Sequence, residues 1–318
     1  MKKNFAHTLI LLLSFLIFLV GCEEDITLDY AEYDPKMVVE GSIFSGEYAE
    51  VILTKSTGYF EEINLNDSTL IELFGIPVYV PTYLYNTVIF DATVVVSEGG
   101  QHDTLQLIPD LNVFPFVKYR GSKIKGEPGK SYDLTIEYDN QEYWAQTSIP
   151  LPVPIDSLWF EPAFQEEDSP GFIRGLFSDP KGVRNYYRIF SKTQGRDSTF
   201  VHPFVSIWDD TPFDGQDSIE FRIFHGDNKL EDPEDPNRFF FLPGEEVLIR
   251  MCSIDLPHYR FWVGYQQNSG GGGNPFANPA PVEGNIPNAL GNWGGYGVYE
   301  TSFFVDSLQV DSLNLKSP

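Results

Sequence analysis

The sequence predicts a mostly β fold: an N-terminal β-sandwich of immunoglobulin-like or transthyretin-like kind, followed by a second β-rich domain with one short helix. Three observations carry this prediction. Apolar and polar residues alternate with a period of two along much of the chain, the mark of half-buried strands. Gly, Asn and Pro punctuate these runs at short intervals. Pro150-Leu151-Pro152-Val153-Pro154 then interrupts the chain near its middle, because alternate prolines remove amide donors and hold the backbone extended. That segment divides a first domain, residues 36–150, from a second, residues 151–318.

Ahead of the first domain, Lys2 and Lys3 supply a positive start. Leu9 to Val20 is apolar except for Ser14, and Leu19-Val20-Gly21-Cys22 closes the run. Twelve residues are too few for a membrane-spanning helix, which needs about 20, but they suit the core of a signal peptide. The small residue before the cysteine gives a lipoprotein signal peptidase access, and the thiol then accepts diacylglycerol. Residues 1–21 are therefore expected to be removed, leaving Cys22 as a lipidated N-terminus anchored in a lipid bilayer. Residues 22–35 read as an acidic tether.

In the first domain, Ala92, Val94 and Val96 alternate with polar or exposed positions up to Glu98-Gly99-Gly100, and Leu105 and Leu107 resume the pattern. This predicts a hairpin with a loop of several residues. The cleanest strand places Tyr132, Leu134, Ile136 and Tyr138 on one face. Asp139-Asn140 turns it into a partner carrying Tyr143, Ala145, Thr147 and Ile149. No helix is predicted before residue 150. Residues 57–91 are long for a strand connection and rich in aromatics, which makes Phe74, Tyr79, Tyr83 and Tyr85 the candidate partner surface. The opposing possibility is that these side chains fold back as strands covering the sandwich.

In the second domain, strands are expected at Tyr187 to Ser191, at Ile219 to Ile223 and over Val247 to Ile254. The helix begins at Asp255, a capping residue. Pro257 falls in its first turn, and Tyr259, Trp262, Val263 and Gln266 follow at helical spacing. Asn268 to Gly297, rich in Gly, Pro and Asn, is expected to be an irregular loop.

Chemistry is sparse. The formal net charge is −25, from 21 basic and 46 acidic residues. With no basic run, this excludes a phosphate-backbone interface, so no nucleic-acid partner is expected. His102, His202, His225 and His258 are not spaced as metal ligands, and no nucleophile elbow, paired-cysteine motif or phosphate loop is present. Cys252 is the one thiol besides Cys22 and sits in an apolar stretch, as a buried hydrophobe does. Asp209, Asp210, Asp214 and Asp217 surround Pro212 and Gly215 in an expected loop, and hard oxygen donors of this kind suit calcium. They lack the spacing of a known calcium frame, so neither cofactor nor catalytic residue is expected.

Lys36-Met37-Val38-Val39-Glu40-Gly41, Tyr143 to Pro150, Asn185-Tyr186-Tyr187-Arg188, Asn274-Pro275-Phe276, Gly284-Asn285-Ile286 and Leu290-Gly291-Asn292-Trp293-Gly294-Gly295-Tyr296 occur in an order that resembles the domain of unknown function 4249 family. The resemblance implies an envelope lipoprotein of the Bacteroidota, often encoded beside TonB-dependent receptors, and carries no catalytic residues over. In those bacteria, Glu23-Glu24-Asp25 behind the lipidated cysteine is similar to a signal for export to the cell surface, whereas in other Gram-negative envelopes an acidic residue there signals inner-membrane retention. The expected function is thus a non-catalytic binding or accessory module of the outer membrane, facing the exterior and serving a TonB-dependent transporter. A stand-alone adhesin or glycan-binding protein is the alternative, and a hydrolase with a dispersed site is the rival class.

Overall fold

A single long strand near the end of the chain organises the molecule. In the computed structural model, residues 33–58, 64–112, 114–166, 168–226, 232, 234–269 and 282–306 are described, and the signal segment and Cys22 lie outside them. In chain order the strands are β1 (Met37–Phe44), β2 (Tyr48–Lys55), β3 (Ser68–Leu73), β4 (Ile76–Pro81), β5 (Thr93–Glu98), β6 (Gln101–Thr104), β7 (Gln106–Pro109), β8 (Val117–Lys125), β9 (Ser131–Tyr138) and β10 (Gln141–Ser148). They continue as β11 (Ile155–Pro162), β12 (Gly171–Phe177), β13 (Tyr186–Thr193), β14 (Ile207–Asp209), β15 (Ile219–Ile223), β16 (Glu246–Ile254) and β17 (Leu290–Phe304). Helix α1 spans Thr82–Thr87 and α2 spans Leu256–Ser269.

An eight-stranded sheet runs β14-β13-β16-β17-β1-β2-β8-β7. Strand β17 splices it. Leu290 to Tyr296 pair in parallel with β1, and Gly297 to Phe304 pair antiparallel with β16. Because side chains alternate across a strand, Trp293, Tyr299 and Phe303 share one face of this sheet. Two smaller sheets cover that face. The sheet β10-β9-β5-β6 closes a first core around Val39, Val51, Val94, Leu134 and Trp293, and β11-β12-β15 closes a second around Ile173, Phe177, Tyr187, Ile249 and Met251. The opposite face carries Phe190, Cys252, Ile254 and Tyr296, packed against Tyr259, Trp262 and Val263 of α2. The mostly β, sandwich-like class is as expected. The two cores divide near Pro150–Pro154, yet the large sheet passes through both, and Ile286 and Trp293 from the second segment belong to the first core.

Three expectations need correction. Gly291 to Gly297 is a sheet strand and not an irregular loop: its glycines remove side chains where neighbours approach closely. A Cβ on Gly297 would meet the Pro150 carbonyl oxygen at 2.0 Å, and one on Gly294 would meet the His258 ring at 2.2 Å. The hairpin after Glu98 turns on two residues only, Gly99 and Gly100, both with positive φ. Its return strand breaks at Leu105, which is buried, so that β6 pairs with β5 in one sheet while β7 pairs with β8 in the other. Two helices, and not one, occur among the described residues, since α1 lies within the 57–91 insertion.

Among the described residues of that insertion, β3 and β4 form a two-stranded sheet of their own, turning at Phe74-Gly75. None of its strand residues is buried. The chain returns to the first core only at Val88 and Ile89, where the Ile89 amide donates to the Leu53 carbonyl at 3.0 Å.

Candidate functional site

Strand β14 is one edge of the large sheet, β15 is an edge of the three-stranded sheet, and residues 210–218 connect them. Asp209 ends β14, and Asp210 is the first residue of the connection. Asp210 is fully buried and turns toward the connecting loop. Its Oδ2 accepts from the Asn185 amide at 2.6 Å and its Oδ1 from Arg184 Nη1 at 2.8 Å. Asp214 accepts from the Gly182 amide at 2.9 Å, while Asp179 accepts from the Gly215 amide at 2.9 Å and from the Tyr187 hydroxyl. Ligand-type oxygens of Asp179, Asp210 and Asp214 lie within 4.8 Å of one another. Of the four expected calcium ligands, then, Asp210 and Asp214 come together, Asp209 and Asp217 are not part of the group, and Asp179 replaces them. Each clustered carboxylate already receives protein donors, so the group fastens residues 179–185 to 210–216 through charge-assisted hydrogen bonds.

Asp209 faces the other way, into an open cleft of about 390 Å³. Trp208 and Phe221 line it with rings 24° apart and centroids 6.5 Å apart, and Phe213 and Tyr259 add two further aromatic walls. Burial, followed by the nearby Asp209 charge, raises the Tyr259 hydroxyl above its ordinary range. Glu220 also lines the cleft and is paired with Arg174. Every charged side chain in the lining is acidic.

A second concentration of polar groups lies beneath α2. Arg188, projecting from β13, is 3% exposed. It donates to the Tyr296 hydroxyl at 2.6 Å and stacks 3.3 Å from the centroid of the Trp262 ring. Its Nε, together with His258 Nδ1, Trp262 Nε1 and Asn292 Oδ1, is buried without a hydrogen-bond partner among the described residues. Burial and the Arg188 charge hold His258 down at about 3, so its ring is neutral. Glu40, on the same face of the large sheet, is solvent-accessible yet crowded by surrounding chain. That crowding raises its carboxyl, with the Arg188 charge pulling the other way. Sequence reasoning did not find this group, because Glu40, Arg188, His258 and Asn292 are far apart in the chain and meet only when β17 is placed beside β1.

The other candidates separate clearly. Cys252 is completely buried and its thiol is pushed up to about 12, which leaves it protonated and unreactive. His225 pairs with Asp197 at 3.0 Å through Nε2, while its Nδ1 meets the Arg238 carbonyl at 2.8 Å, so both ring nitrogens are engaged. His102 lies 2.8 Å from Ser97 on an exposed hairpin. Tyr79, Phe74 and Tyr85 of the expected partner surface are 74%, 46% and 44% exposed, and Tyr83 is half-buried. Cys22 lies outside the described residues, and among those residues no helix is long and apolar enough to cross a membrane.

Fold and sites define a double β-sandwich on a common sheet, with an acidic aromatic cleft and a separate apolar hairpin. The chain matches the family described as domain of unknown function (DUF4249) over residues 23–302, and it belongs to that family. No curated protein matches it.

Proposed function

We propose that this protein is a non-catalytic binding module, anchored through lipidated Cys22 to the outer membrane and facing the cell exterior, where it serves as an accessory to a TonB-dependent transporter. The β3–β4 hairpin carries the reading. A two-stranded hairpin is marginal in water by itself, and this one pairs Leu70 with Tyr79, Ile71 with Val78 and Leu73 with Ile76 while burying none of them. Leu70 and Tyr79 lie on one face of the hairpin and Ile71, Val78, Leu73 and Ile76 on the other, and covering these apolar faces with a partner is worth about 25 cal/mol per Å² before the costs of association are subtracted. A lipid anchor holds the protein in the plane of a membrane partner, where raised effective concentration lets a modest interface suffice. Engagement of both His225 nitrogens and the unreactive state of Cys252 support a non-catalytic role.

The test is affinity purification of the full chain from native membranes, comparing wild type with the Ile76→Ser, Tyr79→Ser double variant. Loss of a co-purifying outer-membrane receptor with an unchanged melting temperature is expected. Retention of that receptor, or a large fall in melting temperature, would overturn the hairpin's role. Labelling with a radioactive fatty acid, abolished in Cys22→Ser, tests the anchor.

A further inference from the structure

We infer that the cleft between β14, β15 and α2 is a binding site for a small organic cation, an alkylammonium or alkylguanidinium group. Three observations lead there. The walls are aromatic faces: Trp208, Phe213, Phe221 and Tyr259 surround an open space of about 390 Å³, enough for a cation of several heavy atoms. The charged residues of the lining, Asp209 and Glu220, are both acidic; Glu220 is paired to Arg174, while Asp209 is in no salt bridge among the described residues and feels the charge of Arg184 from outside the lining. Immediately behind Asp209, Asp179, Asp210 and Asp214 add further negative charge against the single guanidinium of Arg184. A cation over an aromatic face with a carboxylate nearby is attracted by both the ring quadrupole and the charge.

The protein uses the same combination internally. Arg188 lies 3.3 Å from the Trp262 ring centroid, Arg250 lies 3.9 Å from that of Phe200 and Arg222 lies 4.0 Å from that of Phe172. In each of these the cation comes from the chain. In the cleft the rings and the carboxylate are present, and no basic side chain is among the lining residues. Asp209 Oδ1 accepts from the Thr211 amide at 3.1 Å, which fixes the carboxylate at the end of β14. A neutral sugar could also stack on such faces, but it would gain nothing from the acidic surround, and the test separates the two.

The experiment is isothermal titration of the full chain with choline, its neutral isostere 3,3-dimethyl-1-butanol, and methyl glucoside, with a chelator present throughout so that the neighbouring aspartates contribute no metal effect. Saturable choline binding is expected, weakened by added salt, with no binding of the other two. Asp209→Asn, close to isosteric, is expected to weaken choline at least about fivefold without lowering the melting temperature. Trp208→Leu is expected to weaken it similarly and, in titrations followed by fluorescence, to remove the quenching that choline produces in wild type. Binding of the neutral isostere or the glucoside as tightly as choline would overturn the charge requirement, and absence of saturable choline binding would overturn the site. The cleft shares no element with β3–β4, so Asp209→Asn is expected to leave receptor co-purification intact. A failure here is thus distinct from a failure of the hairpin contact.

Discussion

Trp293 lies against Gly41, its register partner across the parallel β1–β17 pair, and a Cβ on that glycine would stand 2.8 Å from indole Cε3. The indole is fully buried, and its Nε1 donates to the Tyr132 carbonyl at 3.0 Å, so one side chain joins the large sheet to the four-stranded sheet. Gly41→Ala should therefore overpack the first core and cost about 1–3 kcal/mol. Trp293→Ala should cost more, about 3–5 kcal/mol, from lost burial and the cavity left behind. Chemical denaturation measures both, and a Gly41→Ala variant as stable as wild type would show that the indole can shift aside freely.

The same contact bears on whether residues 36–150 fold alone. Without residues 282–306 they lose Trp293 and Ile286 from their core and expose the whole edge of β1. That fragment should give no cooperative melt in isolation, and a peptide spanning residues 282–306, supplied in trans, should restore one. Cooperative melting of the fragment by itself would show that the first sandwich is independent of the final strand.

These relationships mark what the sequence disclosed. Strands β9 and β10 were legible because each keeps a side chain at every position and their turn is written as Asp139-Asn140, both with positive φ in the structure. Strand β17 was not. Its period-two signal is erased at Gly291, Gly294, Gly295 and Gly297, where facing groups leave no room for side chains. The start of α2 could be read from Asp255 and Pro257, since capping is local chemistry. The acidic site was half legible: Asp210 and Asp214 are near neighbours in sequence, whereas Asp179 joins them only through the pairing of two loops. The apolar character of the insertion was visible, but not that its strands pair with each other as a separate hairpin, which tolerates Pro77 and Pro81 because each strand of a two-stranded sheet has a free edge.

Asp255 does more than begin a helix. Its Oδ1 accepts from the His258 amide at 3.1 Å, while its Oδ2 accepts from Thr147 Oγ1 at 2.9 Å and from the Ser148 amide at 3.0 Å. Thr147 Oγ1 in turn accepts from the Gly295 amide at 2.8 Å. One carboxylate thus ties α2 to the end of β10, and through Thr147 to β17. Loss of a cap costs about 1 kcal/mol, and stranding the Ser148 amide adds about 1–3 kcal/mol. Asp255→Ala should therefore destabilise by about 2–4 kcal/mol and Asp255→Asn by less, as thermal melts of the two variants will show.

The last prediction concerns pH. His258 sits against Gly294, edge-on to Tyr296 at 4.5 Å between ring centroids, with Trp262 at 6.3 Å. The charged groups bearing on it are Arg188, which opposes protonation, and Asp255, which holds its backbone amide. In the folded chain the imidazole titrates at about 3, against 6.5 in an ordinary setting. Between those values the unfolded state binds a proton that the folded state does not, so stability falls as pH falls through that window. The full contribution is present above about 6.5, the slope approaches about 1.4 kcal/mol per pH unit for this one group, and the loss levels off below about 3. Other carboxylates also act in acid: Asp110, held low by its hydrogen bond with Lys118, loses its contribution as pH falls through its own depressed range. The difference between wild type and His258→Gln isolates the histidine, because glutamine cannot take up the proton. Urea denaturation across pH 4–7 should give the variant a shallower dependence than wild type, whatever its stability at neutral pH. Equal slopes would mean that His258 gains a proton within the fold, and that the polar group beneath α2 is open to water.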